Sequence, residues 1–367
     1  MRTLILTGPE SEDQKAISRA LKQAFTARGD SCLVAGALAL LGQHVPLSQA
    51  RAMEQEALKT PRAFAFLSAG SSFLREHKRR SLVYEVNAKY AEHLATLLRE
   101  GEFDAVLCLH RYPAEAVSFL RKTITFSARC CYLSCDYACV PFLEETTLDH
   151  YLIPHEELTS AYEKRGIPVK KIVPAGIPVP GDWFPTEEKA DARALLNLPQ
   201  ATPCILVPFA EDAASAVSAI LLQMKGDEVR ICVLAPDGAP PKSPFVARFA
   251  GDVRVSVLAP EDPFSRYLAA CDVIFTLPSG AVTTLAALSG KPLVHLPSSD
   301  VWQRQTAQFF SSRGLSLAGN GESESALLAL TLAKDETLKS DMRNKMQLSR
   351  MQSAAPRVVR FLHEGRL

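Results

Sequence analysis

Residues 5–21 read "ILTGPESEDQKAISRAL". An apolar strand runs into Thr7-Gly8, a polar loop follows, and a helix pattern begins near Gln14. In α/β proteins a turn of this kind lies at the carboxyl end of the sheet and faces a ligand. Phosphate-binding versions are rich in glycine, so that backbone N–H groups can approach the anion. This loop instead has one glycine and three acids, Glu10, Glu12 and Asp13. The acids fit two roles. One of them can act as a base, or they favour the positive N-terminus of the helix that follows.

The same strand–turn–helix unit recurs outward along the chain. "SCLVAGAL" (31–38), "FDAVLCLH" (103–110), "ARCCYLSCD" (128–136) and "LDHYLIPHE" (148–156) read as strands, with helices at Val83–Glu100 and within "AEAVSFLRK" (114–122). Apolar strands separated by helices predict a parallel sheet covered on both faces. Residues 174–185 hold four prolines and two glycines, a linker composition. Beyond them the pattern restarts: "CILVPFA", "VRICVLAP", "VRVSVLAP", "DVIFTLPSG" and "KPLVHLPS" are strands, with helices between. The expected fold is α/β, with two doubly wound, Rossmann-like domains facing a cleft. Residues 1–175 form the first domain and 176–335 the second, and a helical segment over 336–367 is expected to pack back on the first.

Composition narrows the function classes. The 367 residues carry a net charge of +1, so any pull toward nucleic acid or anionic lipid is local. No apolar run reaches the roughly 20 residues needed to span a bilayer. "MRTLILTGPE" reads as a first strand, not a secretory leader. Nine cysteines scattered through a large chain fit a reducing cytoplasm. Cys130, Cys131, Cys135 and Cys139 cluster, either as thiolate metal ligands or as small apolar residues of a buried strand. The spacing lacks a C-x2-C pair, and no metal site is assigned. Residues 64–80 join Phe64, Phe66 and Phe73 to His77, Lys78, Arg79 and Arg80. Such a segment can rest on an anionic membrane surface, or be an irregular insertion with a solvated basic end.

Four stretches carry a more specific signal: "VLCLHRYPAEAVSFLRK" (106–122), "LSCDYACVPF" (133–142), "LDHYLIPHEELTSAYEKRGIPVKKIVPAGIPV" (148–179) and "VLAPEDPFSRYLAACDVIFTLPSGAVTTLAALSGKPLVHLP" (257–297). In order and spacing they resemble the monogalactosyldiacylglycerol synthases and bacterial processive diacylglycerol glucosyltransferases. The bacterial N-acetylglucosaminyl transferase that forms lipid II is a more distant relative. The resemblance covers roughly residues 2–335. It implies a two-Rossmann glycosyltransferase fold of the GT-B kind. A lipid acceptor would be taken by the first domain at the membrane, and a UDP-sugar held by the second without a metal. It also implies a cytoplasmic protein, peripheral on the inner membrane face, with no nucleic-acid partner.

Carried onto this sequence, the resemblance gives His110 and Asp136 as acceptor-side groups. Glu10 is the further candidate for the base. Each also has a plain structural reading, as a hydrogen-bonded histidine, a turn carboxylate or a helix-start acid. The nucleotide side falls on Phe209, Ala210, Leu258 and Ala259, with Ser279, Gly280, Ala281 and Thr283 facing the diphosphate.

Departures from the family pattern are concentrated in the site. Ser11 and Asp13 stand where its loop glycines lie, and Gln14 where its histidine lies. Val140 replaces a second histidine, Leu277 a cation and Leu285 the ribose acid. Arg304 and Gln305 fall in a rewritten loop, as ligand contacts or as solvated helix residues. The expected activity is hexose transfer from a UDP-sugar to a diacylglycerol-like lipid. The alternative is a catalytically degenerate relative that binds a protein partner or lipid.

Overall fold

The computed structural model describes residues 1–8, 11–36, 91–208, 213–226, 228–234, 248–249, 251–258, 263–349 and 351–367. The chain divides into two units. The first is Met1–Pro180 with Ser299–Gln305 and Ser353–Leu367, and the second is Gly181–Ser298 with Thr306–Gln352. The division falls at 180/181, inside the same proline-rich stretch that marks the expected boundary at 175/176. The stretch from 336 onward, expected as one segment, is split between the units.

In the first unit, β1 (Arg2–Thr7) leads to α1 (Glu12–Ala27) and β2 (Ser31–Gly36). Then come α2 (Ala91–Glu100), β3 (Ala105–Cys108), α3 (Arg111–Thr123), β4 (Arg129–Leu133), β5 (His150–Ile153), α4 (Thr159–Lys164) and β6 (Ile172–Pro174). The strands are parallel in the order β2-β1-β3-β4-β5-β6. Continuous apolar strands suit this sheet because helices cover it. Leu4, Ile5, Leu6, Val106, Leu107 and Leu133 are fully buried. α1 is amphipathic, with Ile17, Leu21 and Phe25 turned inward. Each such side chain contributes about 1.5–3 kcal/mol by leaving water.

The second unit repeats the plan. After α5 (Lys189–Leu195) come β7 (Cys204–Val207), α6 (Ala213–Gln223), β8 (Arg230–Leu234), β9 (Val255–Leu258), α7 (Phe264–Ala270) and β10 (Val273–Thr276). They are followed by α8 (Gly280–Leu288), β11 (Leu293–His295), α9 (Val301–Ser311), β12 (Leu317–Ala318), α10 (Glu322–Lys334) and α11 (Glu336–Leu348). The order is β12-β11-β10-β7-β8-β9, again all parallel. The last helix, α12 (Ala354–Glu364), belongs to the first unit, where it packs on α1; Val358, Val359 and Phe361 are buried, the Phe361 ring against His150 of β5.

A charged cluster ties the amino ends of β7 and β10 together. Asp272 Oδ2 accepts from Arg193 Nη2 and from the Cys204 N–H, both at 2.8 Å, while Lys189 bonds Oδ1. Arg193 is 2% exposed and also donates from Nε to the Ala270 carbonyl at 2.9 Å. Burial raises the Asp272 pKa, but Lys189, the Cys204 N–H and Arg193 outweigh it, and the net shift is downward. This end of the sheet is structural. The carboxyl ends remain for ligands.

Among the described residues, no helix is long and apolar enough to cross a membrane.

Candidate functional site

Strand order locates the site in each unit. β1 has β2 on one side and β3 on the other, so consecutive connections diverge between β1 and β3. At the carboxyl ends of such a pair a crevice opens, and ligands of doubly wound sheets bind there. Gly8 follows β1, and Leu109-His110 follows β3. The Leu109 N–H extends the ladder to the Leu6 carbonyl at 2.9 Å.

Gly8 and His110 are in close contact. A Cβ at Gly8 would lie 2.4 Å from His110 Cγ and 2.7 Å from its Cβ. The single glycine of the opening loop is therefore needed for the imidazole, whose ring fills the space beside it. Gly8→Ala is expected to displace His110 and destabilise the fold by about 1–3 kcal/mol. Gly181→Ala, where a Cβ meets nothing within 4 Å, should be near neutral. Chemical denaturation of both variants checks this.

His110 is the N-cap of α3, and its Nδ1 accepts the Tyr112 N–H at 3.2 Å. Pro113, with no N–H to leave unpaired, fits the first turn that follows. Burial, and then the Arg111 cation, push the imidazole pKa down to about 3. The ring is therefore neutral at physiological pH. With Nδ1 accepting, the remaining proton sits on Nε2. In this arrangement Nε2 of His110 can donate a hydrogen bond, and the lone pair on Nδ1 is already engaged.

Asp136 follows β4 on the same side of the sheet. Burial, then the carboxylates of Asp13 and Asp300, push its pKa up to about 8. Asp13 lies in the first turn of α1, as an acid favoured by the helix dipole. Asp300 Oδ1 accepts from the N–H groups of Trp302 at 2.7 Å and Gln303 at 3.0 Å, capping α9. Three segments distant in sequence thus bring their carboxyl groups into electrostatic reach of one another. A carboxyl that titrates near neutral pH suits proton transfer.

Gln14 has a role that sequence did not reveal. Its Oε1 accepts the Gly8 N–H at 2.7 Å in a buried bond. The N–H that a phosphate loop would aim at its ligand is used inside the loop. Of the opening acids, Glu12 pairs with Lys15 at 2.8 Å in an exposed contact, Asp13 faces Asp136, and Glu10 lies outside the described residues.

In the second unit the corresponding divergence lies between β7 and β10. Phe209, Ala210 and Ala259 lie outside the described residues, as do residues 64–80. Leu258 closes the edge strand β9 with its side chain buried. Ser279 is the N-cap of α8, and its Oγ accepts the Val282 N–H at 3.2 Å. Gly280 and Ala281 form the buried first turn of α8 at the end of β10. Thr283 turns inward, with its hydroxyl 3.3 Å from His295 Nε2. His295 Nδ1 is 3.2 Å from Ser316 Oγ, and burial pushes this imidazole down to about 3. Arg304, in the first unit, donates to the Ser299 carbonyl.

The cysteine cluster is arranged as core. Cys130 and Cys131 sit on opposite faces of β4, and Cys135 Sγ donates to the Leu109 carbonyl at 3.3 Å. Burial pushes the Cys130 and Cys139 thiols up to about 12. Among the described residues, no group of three or more His, Cys, Asp or Glu is placed to hold a metal ion.

Comparison with known proteins follows the same division. Residues 14–179 match the family model described as monogalactosyldiacylglycerol (MGDG) synthase. A search of the curated proteins finds no match. Among solved structures, MurG of Acinetobacter baumannii is similar at a TM-score of 0.60 and 13% identity, over 99% of this chain and 100% of that one. MnaA of S. aureus, solved with UDP, is similar at 0.62 and 14%, over 99% and 96%. The glycosyltransferase SnogD from Streptomyces nogalater is similar at 0.58 and 16%, over 99% and 99%. At these identities the structural likeness shows the fold, that of the GT-B glycosyltransferases.

Proposed function

We propose that this chain, whose first half resembles the monogalactosyldiacylglycerol synthases by sequence and which has a glycosyltransferase-like fold throughout, transfers a hexose from a UDP-sugar to the hydroxyl of a diacylglycerol-like lipid. The observation that carries the proposal is Asp136, a carboxyl titrating near 8, on the same side of the first sheet as the Gly8–His110 crevice. In its ionised form Asp136 takes the proton of the acceptor hydroxyl. The hydroxyl oxygen then bonds the anomeric carbon, the bond from that carbon to the diphosphate breaks, and UDP leaves. The Nε2–H of His110 orients an acceptor oxygen. Of the two acceptor-side groups, this reading gives the base role to Asp136, because Nδ1 of His110 is already accepting a bond.

On the donor side, the N-terminus of α8 at Ser279, Gly280 and Ala281 is the proposed diphosphate end, by the helix-dipole argument. The UDP-sugar is a substrate, and the proposal assigns no cofactor. Residues 64–80 are proposed as the membrane-facing segment on their sequence alone.

A second reading rests on a specific observation. The Gly8 N–H, His110 Nδ1 and the Thr283 hydroxyl all have partners within the fold, as expected of a degenerate relative acting as a binding protein.

Calorimetric titration with UDP and several UDP-hexoses separates the two. Saturable binding, weakened by Ser279→Asp, which keeps an oxygen at the N-cap of α8 but sets a negative charge against the diphosphate, is the expected result. Absence of heat at millimolar ligand would remove the donor site.

A further inference from the structure

Two side chains that ordinarily both donate and accept are left as donors alone in the first crevice, and they flank one residue, Gly8. Gln14 Oε1 accepts the Gly8 N–H at 2.7 Å. A backbone N–H only donates, so this bond fixes which way round the carboxamide lies and leaves Nε2 with two hydrogens to give. The His110 ring lies against the same glycine, where a Cβ would come within 2.4 Å of its Cγ. Its Nδ1 accepts the Tyr112 N–H, which leaves Nε2 as an N–H. Neither Nε2 has a hydrogen-bond partner among the described residues, and neither is among the enclosed atoms that lack one, so each keeps surface for a ligand. The rest of Gln14 is nearly buried, at 8% exposure, so its donor is held in place.

The surroundings narrow what these donors take. They match an oxygen that accepts and has no proton of its own to place: a carbonyl, an ether or a phosphoryl oxygen. The hydroxyl that reacts gives its proton to Asp136, so it is not the group a pair of donors selects. A phosphoryl oxygen brings negative charge toward the carboxyls of Asp13, Asp136 and Asp300, which already face one another. Both donors are neutral and do not offset that repulsion. An uncharged carbonyl oxygen remains, and its two lone pairs accept two hydrogen bonds.

We propose that Gln14 is a binding and specificity residue of the acceptor site, whose Nε2, together with Nε2 of His110, holds an ester carbonyl of the acceptor beside the hydroxyl that reacts. The inference rests on the reading of Asp136 as the base and adds what selects the acceptor. In a diacylglycerol an ester group stands on the carbon next to the one that bears the free hydroxyl. A carbonyl pinned by the two donors therefore keeps that hydroxyl in the crevice that Asp136 borders. The donors orient the acceptor without engaging the lone pair that attacks the sugar.

The test measures UDP release from a UDP-hexose with two acceptors in phosphatidylcholine vesicles, a diacylglycerol and the dialkylglycerol of equal chain length. The dialkylglycerol keeps the hydroxyl but replaces each ester with an ether, so both donors lose their carbonyl. The full chain is expected to prefer the ester by about tenfold or more in kcat/KM, the effect of leaving site donors unpaired. Gln14→Glu keeps an oxygen for the Gly8 N–H but loses the donor, and should bring that preference close to one. Comparing two acceptors on the same variant cancels the effect of its new charge on Asp136. Gln14→Met, neutral and of similar length, removes the donor without adding charge and should do the same. Equal use of ester and ether by the unaltered chain would overturn the inference, and so would an ester preference that survives in both variants. Either result leaves the hexose-transfer reading standing. No release with either acceptor would remove that reading, and this inference with it.

Discussion

Asp136→Asn is expected to lower hexose-transfer turnover by about 10²–10⁴-fold, the usual contribution of a positioned general base. The amide keeps the size and much of the hydrogen bonding of the acid but cannot take a proton. The same variant has a stability signature that a carboxylate ionised in the native state would lack. The pKa of Asp136 rises from 3.8 to about 8 on folding. Between those values the folded chain binds a proton that the unfolded chain has released. Stability is therefore highest below about 4 and falls as pH climbs toward 8. The amide side chain of the variant does not titrate. Relative to the wild type, the variant should gain thermal stability as pH is raised from 5 to 8, while losing turnover. Melting curves across that range check the sign. A variant that loses stability equally at both pH values would show that Asp136 is ionised in the native state.

Asp272→Asn is expected to destabilise the second unit by about 3–5 kcal/mol, because it leaves Arg193 buried without its counter-charge. Asp272 and Arg193 are 4% and 2% exposed, so water cannot take the place of the lost partner. The contrast is the pair Arg343–Glu336, whose acid is 71% exposed. Arg343→Ala should cost less than about 1 kcal/mol. Chemical denaturation of the two variants side by side distinguishes a buried cluster from a surface one. The low pKa of Asp272 adds a pH dependence of the opposite sign to that of Asp136. Its stabilisation is present above about pH 4, near its ordinary value, and is lost as pH falls below it.

The fold was legible because it is a repeating local pattern. Apolar runs such as "LIL" within β1 and "AVLC" of β3 are short, continuous and flanked by helical periods, and parallel sheets require that. The proline-rich stretch at 174–185 marked the division for the same local reason. The first crevice was half legible. His110 stands at the end of β3, and its role as an N-cap is written in the helix start that follows it. That its Nδ1 is already engaged, by the Tyr112 N–H, is a matter of conformation that the residue type does not carry.

Asp13, Asp136 and Asp300 were not legible as a group. They lie far apart in the chain: the strand order brings the segments of Asp13 and Asp136 to one end of the first sheet, and Asp300 joins them because residues 299–305 belong to the same unit. Asp300 did carry a signal, as an acid just before the helical run "VWQRQTAQ", but it is the signal of a cap. Gln14 shows the same limit from the other side. Its side chain cannot act as a base, which the sequence states. That it holds the Gly8 N–H follows only from the turn of the loop. The acids of the opening stretch therefore divide by position: Glu12 pairs at the helix start, and Asp13 helps to raise a neighbouring carboxyl.

The central claim is a sugar transfer that depends on the ionised form of Asp136. It is tested most directly by the rate of UDP release from a UDP-hexose, with diacylglycerol supplied in vesicles, followed from pH 6 to pH 9. The account predicts a rate that rises through about pH 8, with that rise lost in Asp136→Asn. No UDP release above the protein-free blank at any pH, or a flat profile identical in the variant, would contradict it.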